Sequence, residues 1–175
     1  MKHLIELDET VLDDQETLAR LDPGEMLRAT ATAGAQVREA LLTVEPELLE
    51  PVRADGRPRA VLFTGMGGSG IAGDIAAAVA GRSAPVPLLS HRGHRLPGWV
   101  GPMDLVVALS CSGETAETRS ALEEAAHRGC RIVTVGAAGS ALATRSGELK
   151  GVHLPVDAKG RMPRATVWGL TVPVL

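Results

Sequence analysis

Two glycine-rich turns in this chain carry hydroxyl groups at spacings that suit an anionic ligand. The first, Gly65–Gly70, reads GMGGSG and lies between the apolar run AVLFT and the small-residue run IAGDIAAAVAG. The second, Ser110–Thr115, reads SCSGET and runs from an apolar stretch straight into a helix-forming one. There Ser110, Ser112 and Thr115 set their hydroxyls around Gly113, whose missing side chain lets backbone N–H groups approach an anion at a helix N-terminus. Hydroxyls and amides together make a phosphate cup without any lysine. The same turn also admits a plainer purpose, with Ser112 capping the helix and Thr115 an ordinary surface residue.

The first turn admits three readings. A Walker-type phosphate loop needs Lys and then Ser or Thr after the last glycine, and here Gly70 is followed by Ile71 and Ala72. A dinucleotide fold needs an acidic residue about 20 positions on, at the end of the second strand. That position reads LLSHRG, with no carboxylate, although Arg92 could meet a 2′-phosphate and so keeps an NADP site open. In the third and favoured reading the glycines open room for a small polar ligand and Ser69 donates a hydrogen bond to it.

The elements that must hold these turns follow from hydrophobic patterning. Apolar residues recur at helical spacing from about Asp8 to Arg20 and from Pro23 to about Val44, with Asp22 as N-cap of the second helix. EPELLEPVRADGRPR then reads as a short helical turn and a loop. Five apolar runs follow, near 59–65, 86–90, 104–110, 131–136 and 151–155. Most are separated by helix-length stretches, such as the one in which Ala121, Leu122, Ala125 and Ala126 line one face while Glu117, Arg119, Glu124 and Arg128 stay wet. The connection HRGHRLPGWVGPM has Gly and Pro in place of helix signals and is expected to be a loop. Continuous apolar strands alternating with helices predict an α/β three-layer sandwich around a five-stranded parallel sheet. In the flavodoxin-like order 2-1-3-4-5 the first and third strands are neighbours, and both turns face one crevice at the switch point.

Composition narrows the function. The chain has 175 residues, 45% of them hydrophobic, enough for one sizeable core with a helical appendage. Its net charge of -3 and scattered basic residues give no footprint for nucleic acid, and with aromatics at 2% there are no platforms for base stacking. No apolar run approaches the roughly 20 residues of a membrane span, and the acidic MKHLIELDETVLDD is unlike a signal peptide. No membrane partner is expected, and the location is expected to be cytoplasmic. Cys111 and Cys130 form no CxxC pair and have few His neighbours, so neither a disulfide framework nor a metal is expected.

These residues also resemble a known family. GMGGSGIAGD, then LPGWVGPMDLVVALSCSGETAET, then MPRATVWGL are similar, in content and in order, to the SIS (sugar isomerase) domain. Within it they resemble most the first half of the bifunctional phosphoglucose/phosphomannose isomerases, over about Gly24 to Leu175. The resemblance implies an N-terminal helical segment over 1–50 and a SIS domain over 51–175, the first of two. It implies a phosphorylated hexose as ligand, isomerisation of glucose 6-phosphate or mannose 6-phosphate to fructose 6-phosphate, a homodimer, and no cofactor or metal. Ser110, Ser112 and Thr115 would hold the phosphate, and Gly67, Gly68 and Ser69 would lie around the sugar hydroxyls. Arg164, of the Pro-Arg motif, would be catalytic, handling the enediolate oxygens, which suits a fixed guanidinium.

The same family draws its general base, a Glu, from the second SIS half, and a ring-opening His from the neighbouring subunit. Neither is expected within these 175 residues. Glu114 and Glu117 are better read as favourable charge near a helix N-terminus, and His91 and His94 as solvated loop residues. The alternative to an isomerase half is a SIS module that binds a sugar phosphate without converting it. The apolar final stretch ATVWGLTVPVL is expected to leave an apolar patch exposed for a second half or a partner subunit.

Overall fold

The computed structural model describes residues 9–175, so the expected helix start at Asp8 lies outside the described residues. Helical elements come first: a 3-10 turn at Glu9–Asp13, α1 (Gln15–Leu21), α2 (Met26–Ala31), α3 (Ala33–Thr43), a 3-10 turn at Pro46–Leu49 and α4 (Glu50–Ala54). Asp14 caps α1, its carboxylate accepting the N–H groups of Glu16 and Thr17. Asp22, expected as the N-cap of the second helix, is instead the C-cap of α1, and the N-cap of α2 is Glu25; the Asp22 carboxylate still accepts the N–H groups of Met26 and Leu27, each at 2.8 Å. The long helix expected over Pro23–Val44 divides at Thr32, whose hydroxyl bonds back to the Ala29 carbonyl at 2.6 Å. Such back-bonding offers the backbone an alternative to the helical ladder.

The strands are β1 (Val61–Gly65), β2 (Leu88–His91), β3 (Leu105–Ser110), β4 (Arg131–Gly136) and β5 (Val152–Pro155). They form one sheet in the order β2-β1-β3-β4-β5 with every neighbouring pair parallel, as the sequence predicts. The connecting helices are α5 (Gly67–Ala80), α6 (Ala116–His127) and α7 (Ala141–Glu148), with α8 (Val167–Thr171) near the end of the chain. Successive side chains of a strand point to opposite faces, and helices cover both, which is why the strands read as unbroken apolar runs. On one face Leu62, Val106 and Ile132 pack with Leu122 and Ala125 of α6 and Leu142 of α7. On the other, Phe63, Leu109 and Val135 pack with Ala72 and Ala76 of α5 and Leu170 of α8. Small residues let α5 lie close: a Cβ added at Gly73 would stand 2.5 Å from that of Phe63.

Two expectations need correction. Glu124 and Arg128, read as wet, have side chains only 27% and 26% exposed. Arg128 donates to the carbonyls of Pro97 and Val100 at 2.7 and 3.1 Å, and the Glu124 carboxylate accepts the Leu96 N–H at 2.7 Å. The helix-free β2–β3 connection has backbone polar groups with no ladder to join, and this ion pair satisfies them. The final stretch, read as an exposed apolar patch, is largely covered within the chain. Ala165, Leu170 and Pro173 are buried, because α8 packs between α3 and α5. The N-terminal helices thus supply the cover that a second half was expected to supply.

His153 on β5 makes one internal bond, Nδ1 to the Thr134 hydroxyl at 2.8 Å, while its Nε2 is buried without a partner among the described residues. Burial pushes its pKa below the usual value and outweighs the nearby Gly136 and Ala137 carbonyls, which favour the charged form. The unfolded chain therefore binds the proton more tightly, and stability falls as pH drops below about 6.5. His153→Gln is expected to flatten the decline in melting temperature between neutral and mildly acidic pH. An unchanged decline in the variant would refute the assignment.

Candidate active site at the carboxyl ends of β1 and β3

β1 and β3 are hydrogen-bonded neighbours, with Gly65 paired to Leu109 in register. The two glycine-rich turns therefore leave the sheet side by side, where the winding reverses and open α/β sheets bind their ligands. The first turn enters α5 directly. Gly67 has φ of 52°, a left-handed conformation that L side chains seldom adopt, and a Cβ there would meet nothing within 4 Å. Gly68 is different: a Cβ there would lie 3.0 Å from Arg164 Cα and 3.0 Å from the Pro163 carbonyl oxygen. The Pro-Arg segment, a 3-10 turn over Pro163–Ala165, thus rests on the first turn of α5. Nearly a hundred residues of chain separate these contacts, and folding alone joins them.

Ser69 is buried, and its hydroxyl accepts the Cys111 N–H at 3.2 Å, stitching the first turn to the second. Within the second turn the Ser110 hydroxyl, also buried, accepts the Gly113 N–H at 3.0 Å and shares a hydrogen bond with the Thr115 hydroxyl at 2.9 Å. Ser112 is the exposed member, with its hydroxyl accepting the Glu114 N–H at 3.2 Å. Thr115 precedes α6 without a side-chain capping bond, so neither hydroxyl serves as the simple helix cap that the sequence also allowed. Gly113 has φ of 71° and abuts Ser140, the N-cap of α7. Arg164 itself is exposed above this edge of the sheet.

The other candidate groups are placed less centrally. Glu114 accepts the Ala141 N–H at 2.9 Å, so its charge sits at the N-terminus of α7 and not at that of α6. Glu117 lies 3.9 Å from His94, and His91, the last residue of β2, bonds through Nε2 to the Arg95 carbonyl oxygen at 2.6 Å. Arg92, the candidate partner for a 2′-phosphate, is paired with Asp74 of α5 and lies against Gly70. Both cysteines are buried, and burial pushes each thiol's pKa up. Among the described residues no group of His, Cys, Asp and Glu is arranged to hold a metal ion, and no helix is long and apolar enough to cross a membrane.

One residue at this edge has no sequence signal. Gln36 of α3 is 2% exposed and bonds through Nε2 to the Ala165 carbonyl oxygen at 2.7 Å. A glutamine inside an amphipathic helix reads as surface until its partner, far along the chain, is known.

Comparison with known proteins places the sequence and the fold. The sequence is 31% identical over 121 residues to the bifunctional phosphoglucose/phosphomannose isomerase of Caldicellulosiruptor bescii, spanning 66% of this chain and 33% of that protein. It is 33% identical over 133 residues to the protein of the same name from Thermoplasma acidophilum, spanning 73% of this chain and 40% of that protein. Over the matched region the chain is similar to these bifunctional isomerases. No protein-family model matches the sequence. The chain covers between a third and somewhat under half of the length of the curated relatives it matches.

Solved structures share the SIS fold at lower identity. The tagatose-6-phosphate ketose/aldose isomerase from Escherichia coli superposes with a TM-score of 0.64 at 18% identity, over 83% of this chain and 45% of that one. The sugar isomerase domain of an RpiR transcription factor from Sphaerobacter thermophilus gives 0.62 at 18% identity, over 85% of this chain and 86% of that one. The fold therefore occurs both in isomerases and in a regulator.

Proposed function

We propose that this SIS domain is the N-terminal, phosphosugar-binding half of an aldose–ketose isomerase that interconverts glucose 6-phosphate and mannose 6-phosphate with fructose 6-phosphate. The reading is supported most by the seating of the Arg164 turn on Gly68, beside hydroxyl-bearing turns already bonded through Ser69 and Cys111. In this reading the phosphate binds at Ser110, Ser112 and Thr115, where the Ser110–Thr115 hydrogen bond sets the turn's shape before ligand arrives. Ser112, exposed, accepts the Glu114 N–H and has its hydroxyl hydrogen left to donate to the phosphate. Gly67, where a Cβ would meet nothing within 4 Å, leaves room for the sugar, Gly68 gives its space to the Pro163–Arg164 backbone beside it, and Ser69 ties the two turns together.

Moving a proton between C1 and C2 of the open-chain sugar places negative charge on oxygen. Arg164 stabilises that charge as it develops, which favours the transition state over the bound sugar. The proton itself is carried by a base assigned, through the family resemblance, to a glutamate of a second SIS half. A homodimer in the cytoplasm completes the proposal.

The test is a coupled assay of the full-length protein with glucose 6-phosphate and mannose 6-phosphate as substrates. Turnover of either into fructose 6-phosphate is expected. Ser112→Ala is expected to raise KM about 10-fold, the worth of a hydrogen bond to a charged group, with kcat held within about threefold. An unaltered KM would remove Ser112 from the phosphate site. A second reading, a phosphosugar-binding regulatory module, draws on the likeness to the RpiR domain, which this chain covers almost end to end. Phosphosugar affinity by calorimetry without any turnover would establish that reading in place of the first.

A further inference from the structure

We infer that Gln36 is a positioning residue for Arg164, acting through the backbone of the turn that carries it. The inference rests on the isomerase reading above and deepens it. The Pro163–Ala165 turn closes on itself through Ala165 N–H to the Met162 carbonyl at 2.8 Å and Thr166 N–H to the Pro163 carbonyl at 3.2 Å. These local bonds set the internal shape of the turn and leave its place over the sheet undetermined. Two external contacts help to fix that place. On one side Gly68 allows the Arg164 backbone to approach α5. On the other, Gln36 of α3 donates from Nε2 to the Ala165 carbonyl oxygen at 2.7 Å and accepts the Gly169 N–H of α8 at Oε1, at 3.4 Å.

The chemistry of the residue matches this task. A primary amide carries a donor and an acceptor on one rigid plane and so can hold a carbonyl and an amide four residues apart at once. Gln36 is 2% exposed, and its amide is further oriented by the Thr32 hydroxyl at 3.2 Å, so no water competes for the bond. Thr166, fully buried, continues the clamp: its hydroxyl donates to the Met162 carbonyl at 3.1 Å. Arg164 is exposed, so the position of its backbone root decides where a long guanidinium side chain can reach. A displacement of the root by about 1 Å is enough to cost on the order of 100-fold in rate.

The experiment is steady-state kinetics on the full-length protein with glucose 6-phosphate, in wild type, Gln36→Met, Gln36→Glu, Arg164→Ala and the double variant Gln36→Met/Arg164→Ala. Gln36→Met keeps the volume and removes both bonds; kcat is expected to fall about 10- to 100-fold with KM within about threefold of wild type. In the Arg164→Ala background the same substitution is expected to cost no further turnover, because the group being positioned is gone. A merely structural glutamine would cost the same in both backgrounds. Gln36→Glu keeps the shape and carries the test if the Met variant fails to fold. Its neutral carboxyl can donate to the Ala165 carbonyl and its ionised form cannot, so its kcat relative to wild type is expected to rise as pH falls from about 8 to about 6. A folded variant with wild-type kcat at every pH, or an equal loss in the Arg164→Ala background, overturns the inference while an active wild type upholds the isomerase reading. A wild-type protein that turns over neither sugar phosphate overturns both.

Discussion

Arg164→Ala in the full-length protein is expected to lower kcat for glucose 6-phosphate about 100- to 1000-fold, the usual cost of deleting a group that stabilises a developing oxyanion. KM is expected to change far less, since on the proposed isomerase reading the guanidinium would act on charge that the bound sugar does not yet carry. The geometry behind this is the contact of the Pro163–Arg164 backbone with Gly68, which places the arginine at the edge shared by both turns. Arg164→Lys is expected to recover only part of the loss, because an ammonium lacks the planar fork that meets two oxygens at once. Thermal melting of the variant should match wild type, as the side chain is exposed. Turnover within about threefold of wild type would exclude Arg164 from the chemistry.

The second large effect is structural. Gly113→Ala places a Cβ 2.0 Å from the Ser140 hydroxyl oxygen and 2.3 Å from its Cβ, on a backbone with φ of 71°. Left-handed backbone and overpacking together are expected to cost about 2–5 kcal/mol, read as a lower denaturant midpoint. On the proposed reading the damage would reach ligand binding too, because the Gly113 N–H bonds to Ser110 and the Gly113 carbonyl accepts the Leu142 N–H at 3.0 Å. Shifting Gly113 therefore moves the hydroxyl-bearing turn against α7, and phosphosugar affinity should fall with stability. Gly67→Ala is the control: its φ is similar, but its Cβ would meet nothing within 4 Å, so only about 1–2 kcal/mol is expected. Equal stability of the two variants would show that packing against Ser140 does not set the cost.

The strands, their parallel pairing and the loop between β2 and β3 were legible from the chain, because buried parallel strands leave an apolar rhythm and Gly-Pro clusters interrupt it, while the strand order agrees with the flavodoxin-like order assumed for such an alternation. Both turns were legible for the same reason: glycine spacing is local, and a strand-to-helix turn is specified by the residues within it. Other features were misread where a partner lies far along the chain. Helical periodicity assigned Glu124 and Arg128 to solvent, yet they hold the carbonyls and an amide of the crossover loop about 30 residues away, a contact that no period reveals.

By itself, the sequence determined which residues could make a phosphate cup, which strands would carry it and which family the motifs resemble. Only the tertiary structure decided that Arg164 sits on Gly68, that Ser69 is bonded to the second turn, that α8 is covered by α3 and α5, and that Gln36 reaches the Ala165 carbonyl. The division has a physical cause. Backbone propensity and hydrophobic period act over a few residues, whereas a hydrogen bond or a close backbone approach between distant segments exists only once burial has packed their elements together.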